Sequence, residues 1–299
     1  MKGEGVVSIS LPVRIFEKRS ALERCGDLWI TGPKYLPLAV QTTDPIERFK
    51  NVMCFMIGSM YMVSQQKKPF NPILGETFQG YWPDGTKIYI EHISHHPPIS
   101  YFQVEHVDGL YKYEGSYTYT AKLTNLGNSV RGRQVGINKI TFIDGTVITY
   151  EFPFLKINGL MFNKRTIQWE GSIKFEDKKN NIECEVSFPQ TGLFGGLKSG
   201  DTYDKLHGIM IQDGEEICEV KGSWLSHLEF NGVEYWRLDD NDIILPMRVD
   251  EDIRLPSDCI YREDAAAFAD GELELAQFEK ERLEVLQRQD KKLRMANKK

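Results

Sequence analysis

Glu91-His92-Ile93-Ser94-His95-His96-Pro97-Pro98-Ile99-Ser100 sets two adjacent imidazoles directly before two prolines. Successive residues of a strand point to opposite faces, so a His-His pair inside a regular strand could not act on one ligand. Pro97 and Pro98 cannot donate to a ladder. The strand predicted over Lys87–Ile93 should therefore end or bend here and leave His95 and His96 at its mouth. Two titratable donors at a rim suit an anion, and a phosphate would favour the doubly protonated rings and draw each pKa upward from about 6.5. A strand-end pair satisfied by backbone carbonyls is the plainer reading, and for a bare His-His it is the better one.

Outward from this stretch, from Phe78 to about Leu238, apolar residues recur at every second position. Ile88/Ile90, Tyr117/Tyr119, Ile140/Phe142, Ile167/Trp169 and Val233/Tyr235 show the period of half-buried strands. Asp84-Gly85, Asp108-Gly109, Asp144-Gly145, Asp213-Gly214 and Asn231-Gly232 fall between such sets and supply the positive φ that tight hairpins need. The pattern predicts an antiparallel meander. One of this length either splits into packed sheets or closes into a barrel, and a barrel too wide for its own side chains encloses a cavity. Aromatic and branched residues at alternate positions could line a cavity, and they fit an ordinary packed core equally well.

Helices are expected on both sides of the strands. Ser20-Ala21-Leu22-Glu23 and Asp44-Pro45-Ile46-Glu47 are capping boxes, the second with proline at the first helical position. The helix from Pro45 to about Gln65 carries Phe49, Val52, Met53, Phe55, Met56, Ile57 and Met60, spread too far round for one stripe, so it should be buried on most sides. After Leu245-Pro246 and Leu255-Pro256 the composition turns helical, ending in a segment from about Gly271 to Arg294. At about 100° per residue Lys280, Glu284 and Arg288 form one stripe of this segment, with Leu275, Phe278, Leu286 and Leu293 broadly opposite. Alone, that stripe is a solvated ion-pair ladder contributing roughly a few tenths of a kcal/mol per pair.

The 299 residues, 41% apolar and 27% charged, describe a folded globular protein, and large β-barrels take this length as one domain. A formal charge of −6 argues against a general nucleic-acid binder. Cys25, Cys54, Cys184, Cys218 and Cys259 are odd in number and never spaced as CxxC, which fits reduced thiols in a cytoplasmic protein. No leader pattern opens the chain, and the most apolar run, Val52–Val63, falls short of the ~20 residues of a spanning helix, so membrane contact should be peripheral and transient. A metal hydrolase could be drawn from His92, His95 and His96 with Glu91, but the spacing matches no standard zinc motif and no nucleophile accompanies it. No enzymatic activity, metal or cofactor is expected.

The decapeptide closely resembles the signature of the oxysterol-binding-protein-related lipid-transfer family, usually written with Gln where this chain has His92. Lys67-Lys68-Pro69-Phe70-Asn71-Pro72-Ile73-Leu74-Gly75-Glu76-Thr77-Phe78 resembles the family's second hallmark. Leu255-Pro256-Ser257-Asp258 with Arg262-Glu263-Asp264 resembles its third. The three occur in order, and the resemblance runs from roughly Leu11 to Arg288. It implies a mainly β fold with flanking helices: a large antiparallel, incompletely closed β-barrel enclosing a lipid tunnel. The implied division is a single lipid-binding domain over residues 1–299, with a short or truncated lid at 1–10, an N-terminal helical segment at 11–77, the barrel at 78–238 and C-terminal helices at 239–299. The family usually closes its tunnel with an amphipathic lid; a short flap over Val6–Leu11 is expected in its place.

Carried over position by position, the resemblance implies that Lys68, Asn71, His95, His96, Lys280 and Arg288 contact the phosphates and inositol of phosphatidylinositol 4-phosphate, with Glu284 holding the ring or its basic neighbours. Arg grips a phosphate bidentately and Lys supplies a point charge, so the residue types suit the role. Lys67-Lys68 alone would read as two solvated lysines. The implied activity is exchange of this lipid for a second one between membranes. An apolar interior is required, because two acyl chains of ~30 methylenes at ~0.8 kcal/mol each represent over ~20 kcal/mol against water. The stretches 17–24 and 44–49 look more like the phosphatidylserine-handling branch than the sterol branch, which leans the second cargo to phosphatidylserine with sterol as the alternative. A sensor that binds without transporting would use the same site. Anionic membrane surfaces are the expected partners, approached by the basic tail Lys291, Lys292, Arg294, Lys298 and Lys299, although plain solubility explains the tail as well. A monomer without nucleic-acid partners is expected.

Overall fold

The computed structural model describes residues 12–65, 67–95, 97–162, 164–189, 202–239 and 243–296. The Val6–Leu11 flap and His96 lie outside the described residues. A small parallel pair, β1 (Phe16–Ser20) with β2 (Lys68–Phe70), sets Phe16 beside Lys68. The main sheet contains, among the described residues, β3 (Thr77–Tyr81), β4 (Lys87–His95), β5 (Pro98–Glu105), β6 (Tyr111–Thr124), β7 (Ser129–Val135), β8 (Asn138–Phe142), β9 (Val147–Tyr150), β10 (Phe154–Asn158), β11 (Thr166–Asp177), β12 (Ile182–Phe188), β13 (Lys205–Gln212), β14 (Glu215–Ser223), β15 (His227–Phe230), β16 (Val233–Arg237) and β17 (Met247–Arg248). Its ladders are antiparallel, and its two terminal strands, β16 and β17, do not pair with each other. The sheet curls into an incompletely closed barrel, the fold that the family resemblance implies; the alternating pattern and the tight turns predicted the meander and left packed sheets open as well.

Two strands of the meander are broken. β7 and β8 run in one direction, interrupted at Gly136-Ile137, and together cover β6. β9 and β10 are interrupted at residues 151–153 and together cover β11. Gly136 has φ +141°, and a Cβ there would lie 2.1 Å from the Ser116 carbonyl oxygen, so only glycine fits the break. Pro153 sits at the other break, where its missing N–H costs no ladder bond.

Helices fill the barrel. Ser20 caps α1 (Ala21–Gly26) by accepting from the Leu22 N–H, and Asp44 caps α3 (Pro45–Ser59) by accepting from the Ile46 N–H, as the two capping boxes dictate. Phe49 and every residue from Val52 to Ser59 are buried, and Phe55 meets the Tyr113 ring of β6 edge-on at 5.4 Å. Between them lies α2 (Gly32–Gln41), which carries Pro33 at its start and Pro37 inside. A Cβ on Gly32 would come within 2.3 Å of the Trp82 ring, so this helix lies directly against the barrel wall. Trp29 packs with these helices, its ring tilted by 40° to that of Phe102 at 4.8 Å. At the C-terminal end, α4 (Glu263–Ala269) and α5 (Leu273–Ala296) pack on each other and on the β1 region.

The barrel has two unlike ends. The Asp-Gly and Asn-Gly turns at 84–85, 108–109, 144–145, 213–214 and 231–232 all close the end away from His95, each with its glycine at positive φ. The β4–β5 turn at His95–Pro98 marks the other end, the mouth. β6 runs toward that mouth, with Thr118 opposite Ile99, and its last six residues, Tyr119–Thr124, continue past it for about 20 Å. β7 pairs along this overhang, β10 pairs with β7, and β11 with β10. In β6 burial alternates as far as Thr118, and then Tyr119–Leu123 are exposed on both faces.

Candidate functional site

Backbone bonds weld the three sequence hallmarks together at the mouth. Gly75 donates its N–H to the His92 carbonyl, and His92 donates to the Glu76 carbonyl, both at 2.9 Å. Thr77 donates to the Ser257 carbonyl at 2.9 Å and bridges to Asp258. Beneath them the Arg262 guanidinium binds Glu76 at 2.9 Å and Asp264 at 2.7 Å, and donates to the Asn71 carbonyl at 2.6 Å. Glu76 also accepts from the Ser20 hydroxyl and from the Ile73 N–H. All three ionic groups are buried, which is tolerable only because each charge meets an opposite charge and further donors or acceptors. The cluster fixes the turn that carries Phe70 and Asn71.

Above this base sit two ammonium groups. The β1–β2 register places Lys68 Nζ 4.9 Å from the Phe16 ring centroid, and Phe16 stacks on Phe70 at 4.9 Å. Helix α5 is anchored by Gln277, whose Oε1 accepts from the Val13 N–H at 2.9 Å, and one turn further on it brings Lys280 Nζ to 5.7 Å from the same Phe16 ring. Crowding of the Lys68 ammonium, and then the Lys280 charge, lower the Lys68 pKa below the ordinary lysine value, although the side chain keeps solvent contact. Lys68 donates to Asn71 Oδ1 at 3.4 Å, and Lys280 is joined to Glu284 at 2.7 Å. Two cations over one ring, one of them paired with Glu284, give this place a net positive charge suited to an anion.

The strand does bend at the histidines. Its register shifts between His92 and Ser94, and this bulge turns His95 to the side of His92, so that His92 Nε2 lies 3.4 Å from His95 Nδ1. His92 Nδ1 meets the Ser100 hydroxyl at 3.0 Å. Burial pushes the His92 imidazole down to about 4, and the neighbouring His95 and Arg262 add to the effect, so His92 is neutral at pH 7.

The oxysterol-binding protein family model matches residues 1–299. The chain belongs to the oxysterol-binding protein family. Oxysterol-binding protein 9 of Dictyostelium discoideum is 36% identical over 315 residues, which cover 98% of this chain and 72% of that protein. Oxysterol-binding protein-related protein 5 of Mus musculus is 28% identical over 309 residues, 96% of this chain but 34% of the relative, so the chain spans about a third of that protein. The Osh3 ORD of Saccharomyces cerevisiae, solved in complex with PI(4)P, matches with a TM-score of 0.80 at 22% identity over 98% of this chain and 82% of that one. The Osh1 ORD domain, solved with ergosterol, gives 0.82 at 21% identity over 100% and 78%. These likenesses show the same mainly β fold with flanking helices, and the family is one of binding proteins rather than enzymes.

Within this oxysterol-binding family member the mouth gathers Lys68, Asn71, Lys280 and Glu284 around Phe16, and His95 lies beside His92 at the end of β4. Arg288 is exposed on α5, two turns and about 12 Å along the axis from Lys280. The α5 stripe is inverted relative to an ordinary amphipathic helix: Lys280 is buried with Ala276, Leu283 and Gln287, while Leu275, Phe278, Leu286 and Leu293 are exposed. Sequence reasoning gave Ser20 only its capping role, and assigned no individual role to Phe16, Glu76, Arg262 or Asp264. The signal available for the last three was a set of charges inside otherwise Pro- and Gly-rich hallmark segments, and for Phe16 there was none.

Proposed function

We propose that this chain binds phosphatidylinositol 4-phosphate at the mouth and exchanges it for a second lipid between membranes. Lys68, His95, His96, Lys280 and Arg288 would meet the phosphates, Asn71 the inositol, and Glu284 would hold Lys280 in place. The observation that carries the reading is the pair of ammonium groups over Phe16, one with a depressed pKa. A phosphate between them removes their repulsion and adds charge-assisted hydrogen bonds. Family membership and the likeness to an ORD solved with PI(4)P support the ligand.

In this reading residues 1–299 act as one lipid-binding unit, a monomer on the cytoplasmic side that docks transiently on anionic leaflets. No helix among the described residues is long and apolar enough to cross a membrane. The second cargo is phosphatidylserine, on the branch-like stretches at 17–24 and 44–49; sterol is the alternative, supported by the likeness to ORD structures solved with ergosterol and cholesterol. The test is competition on the purified chain followed by movement between two liposome populations. Phosphatidylserine should displace bound phosphatidylinositol 4-phosphate, and both lipids should move in opposite directions. Displacement by sterol alone would reassign the cargo, binding without movement would make the chain a sensor, and no phosphoinositide binding at all would overturn the site.

A further inference from the structure

The part of the barrel that projects beyond the mouth ends in four exposed apolar side chains. Leu123 and Leu126 come from the β6–β7 hairpin and Met161 and Phe162 from the β10–β11 connection, with relative exposures of 60%, 105%, 63% and 66%. The two loops are one unit: Asn128 accepts at its side-chain oxygen from the Met161 and Phe162 N–H groups, both at 2.9 Å, and at its carbonyl from Leu160 at 3.0 Å. Scattered exposed apolar residues are ordinary, but four on one tip, with Leu126 wholly unpacked, are not.

Leu126 shows the tip's character most clearly. It holds φ +53° between Asn125 at +50° and Gly127 at +89°. Asn and Gly adopt such angles cheaply, whereas leucine pays backbone strain here and gains no packing from this chain. The surroundings are basic. Across residues 119–134 and 154–168 there are six Lys or Arg and no Asp or Glu, in a chain whose formal charge is −6. Glu170 pairs with Arg131 and Lys156 lower on the strands, while Lys164 and Arg165 stand exposed beside Phe162.

We infer that the β6–β7 and β10–β11 loops form a membrane-inserting tip, which sinks Leu126, Met161 and Phe162 into an anionic leaflet and holds the mouth against it. Apolar side chains at a loop apex with cations one step behind match the layered chemistry of that surface, acyl chains beneath phosphate. The choice of a bilayer rests on the lipid-exchange reading; the shape and charge of the tip do not.

Leu126→Asp with Phe162→Asp in the full chain tests it. Flotation with phosphatidylcholine vesicles containing phosphatidylserine should fall by about tenfold or more. Binding of water-soluble dioctanoyl phosphatidylinositol 4-phosphate and the melting temperature should not change. Unaltered flotation overturns the tip; if instead neither wild type nor variant binds the soluble lipid, the headgroup reading fails and the tip still stands or falls on flotation. A second readout uses Leu126→Cys carrying an environment-sensitive dye, since the five native cysteines are all buried. Its emission should shift to the blue on adding vesicles. A shift produced by unlabelled protein alone would identify a second copy of the chain as the occupant and overturn the membrane assignment.

Discussion

Lys280→Met removes one of the two ammonium groups over Phe16 while keeping a side chain of similar length. At 4.9 and 5.7 Å from one centroid, the two charges stand no more than about 11 Å apart. At an effective dielectric constant near 20 their repulsion is about 1.5 kcal/mol or more, and solvent around Lys68 screens it to about 1 kcal/mol or less. Against this, the Lys280–Glu284 pair contributes about 0.5 kcal/mol, because the Glu284 side chain is 33% exposed. The two effects nearly cancel, so the melting temperature should stay within about 2 °C of wild type. Ligand binding should behave differently. One charge-assisted contact to phosphate contributes about 1.5–3 kcal/mol, so Kd for dioctanoyl phosphatidylinositol 4-phosphate should rise roughly 10- to 150-fold in calorimetry. The Lys68 pKa should also rise toward its ordinary value, since one of the causes that lower it is gone. An unchanged Kd with a melting temperature several degrees lower would refute this reasoning and make Lys280 a structural residue.

Folding should carry the mark of His92. Its folded pKa of about 4 lies below the unfolded value near 6.5, so its contribution is present above pH 6.5 and lost as pH falls through 4. That loss amounts to about 3 kcal/mol in urea titrations at pH 7.5 and 4, and His92→Gln should flatten the difference; equal pH profiles for both proteins would show that another group dominates. Arg262→Met leaves Glu76 and Asp264 buried without their cation and should cost about 3–5 kcal/mol of folding stability, read as a lower urea midpoint. Retention of the wild-type midpoint would remove the Arg262–Glu76–Asp264 cluster from the fold's supports. Deleting residues 291–299 should weaken flotation on anionic vesicles in a salt-dependent way, by about 1 kcal/mol per lysine or arginine engaged, and unchanged flotation would leave the tail a solubility device.

Features written in local chemistry were legible in the sequence. The five turn dipeptides, the period of two and the capping serine and aspartate each act over a few residues, and each is where the pattern put it. What failed to show was either masked or long-range. Pro33 and Pro37 hid α2, because prolines usually stop a helix; here one sits at its start and the other is carried by packing against the barrel. The β1–β2 pair is too short for a period and joins residues about fifty positions apart. Lys280 misled in the opposite sense. A helical wheel sends charge to solvent and leucine inward, yet at the mouth the helix buries the lysine and exposes Leu275, Phe278 and Leu286. Local rules break where a site must hold charge out of water. The same holds for Arg262, whose partners Glu76 and Asp264 come together only after the chain has folded.

The turns that close the far end have an electrical consequence. Tight hairpins take Asp or Asn before Gly for reasons of backbone angle, and four of the five used here took Asp. The projecting hairpins at the mouth end carry lysine and arginine instead. These turns thereby run from aspartate at the closed end, where Asp144 is already met by Arg48 and Lys179, to lysine and arginine at the tip. For the docking on anionic leaflets proposed above, such a gradient would turn the chain mouth first before it touches. The benefit would be kinetic: fewer encounters would be wasted on the wrong end, and the advantage would fade as added salt shortens the range of the field to about 8 Å or less.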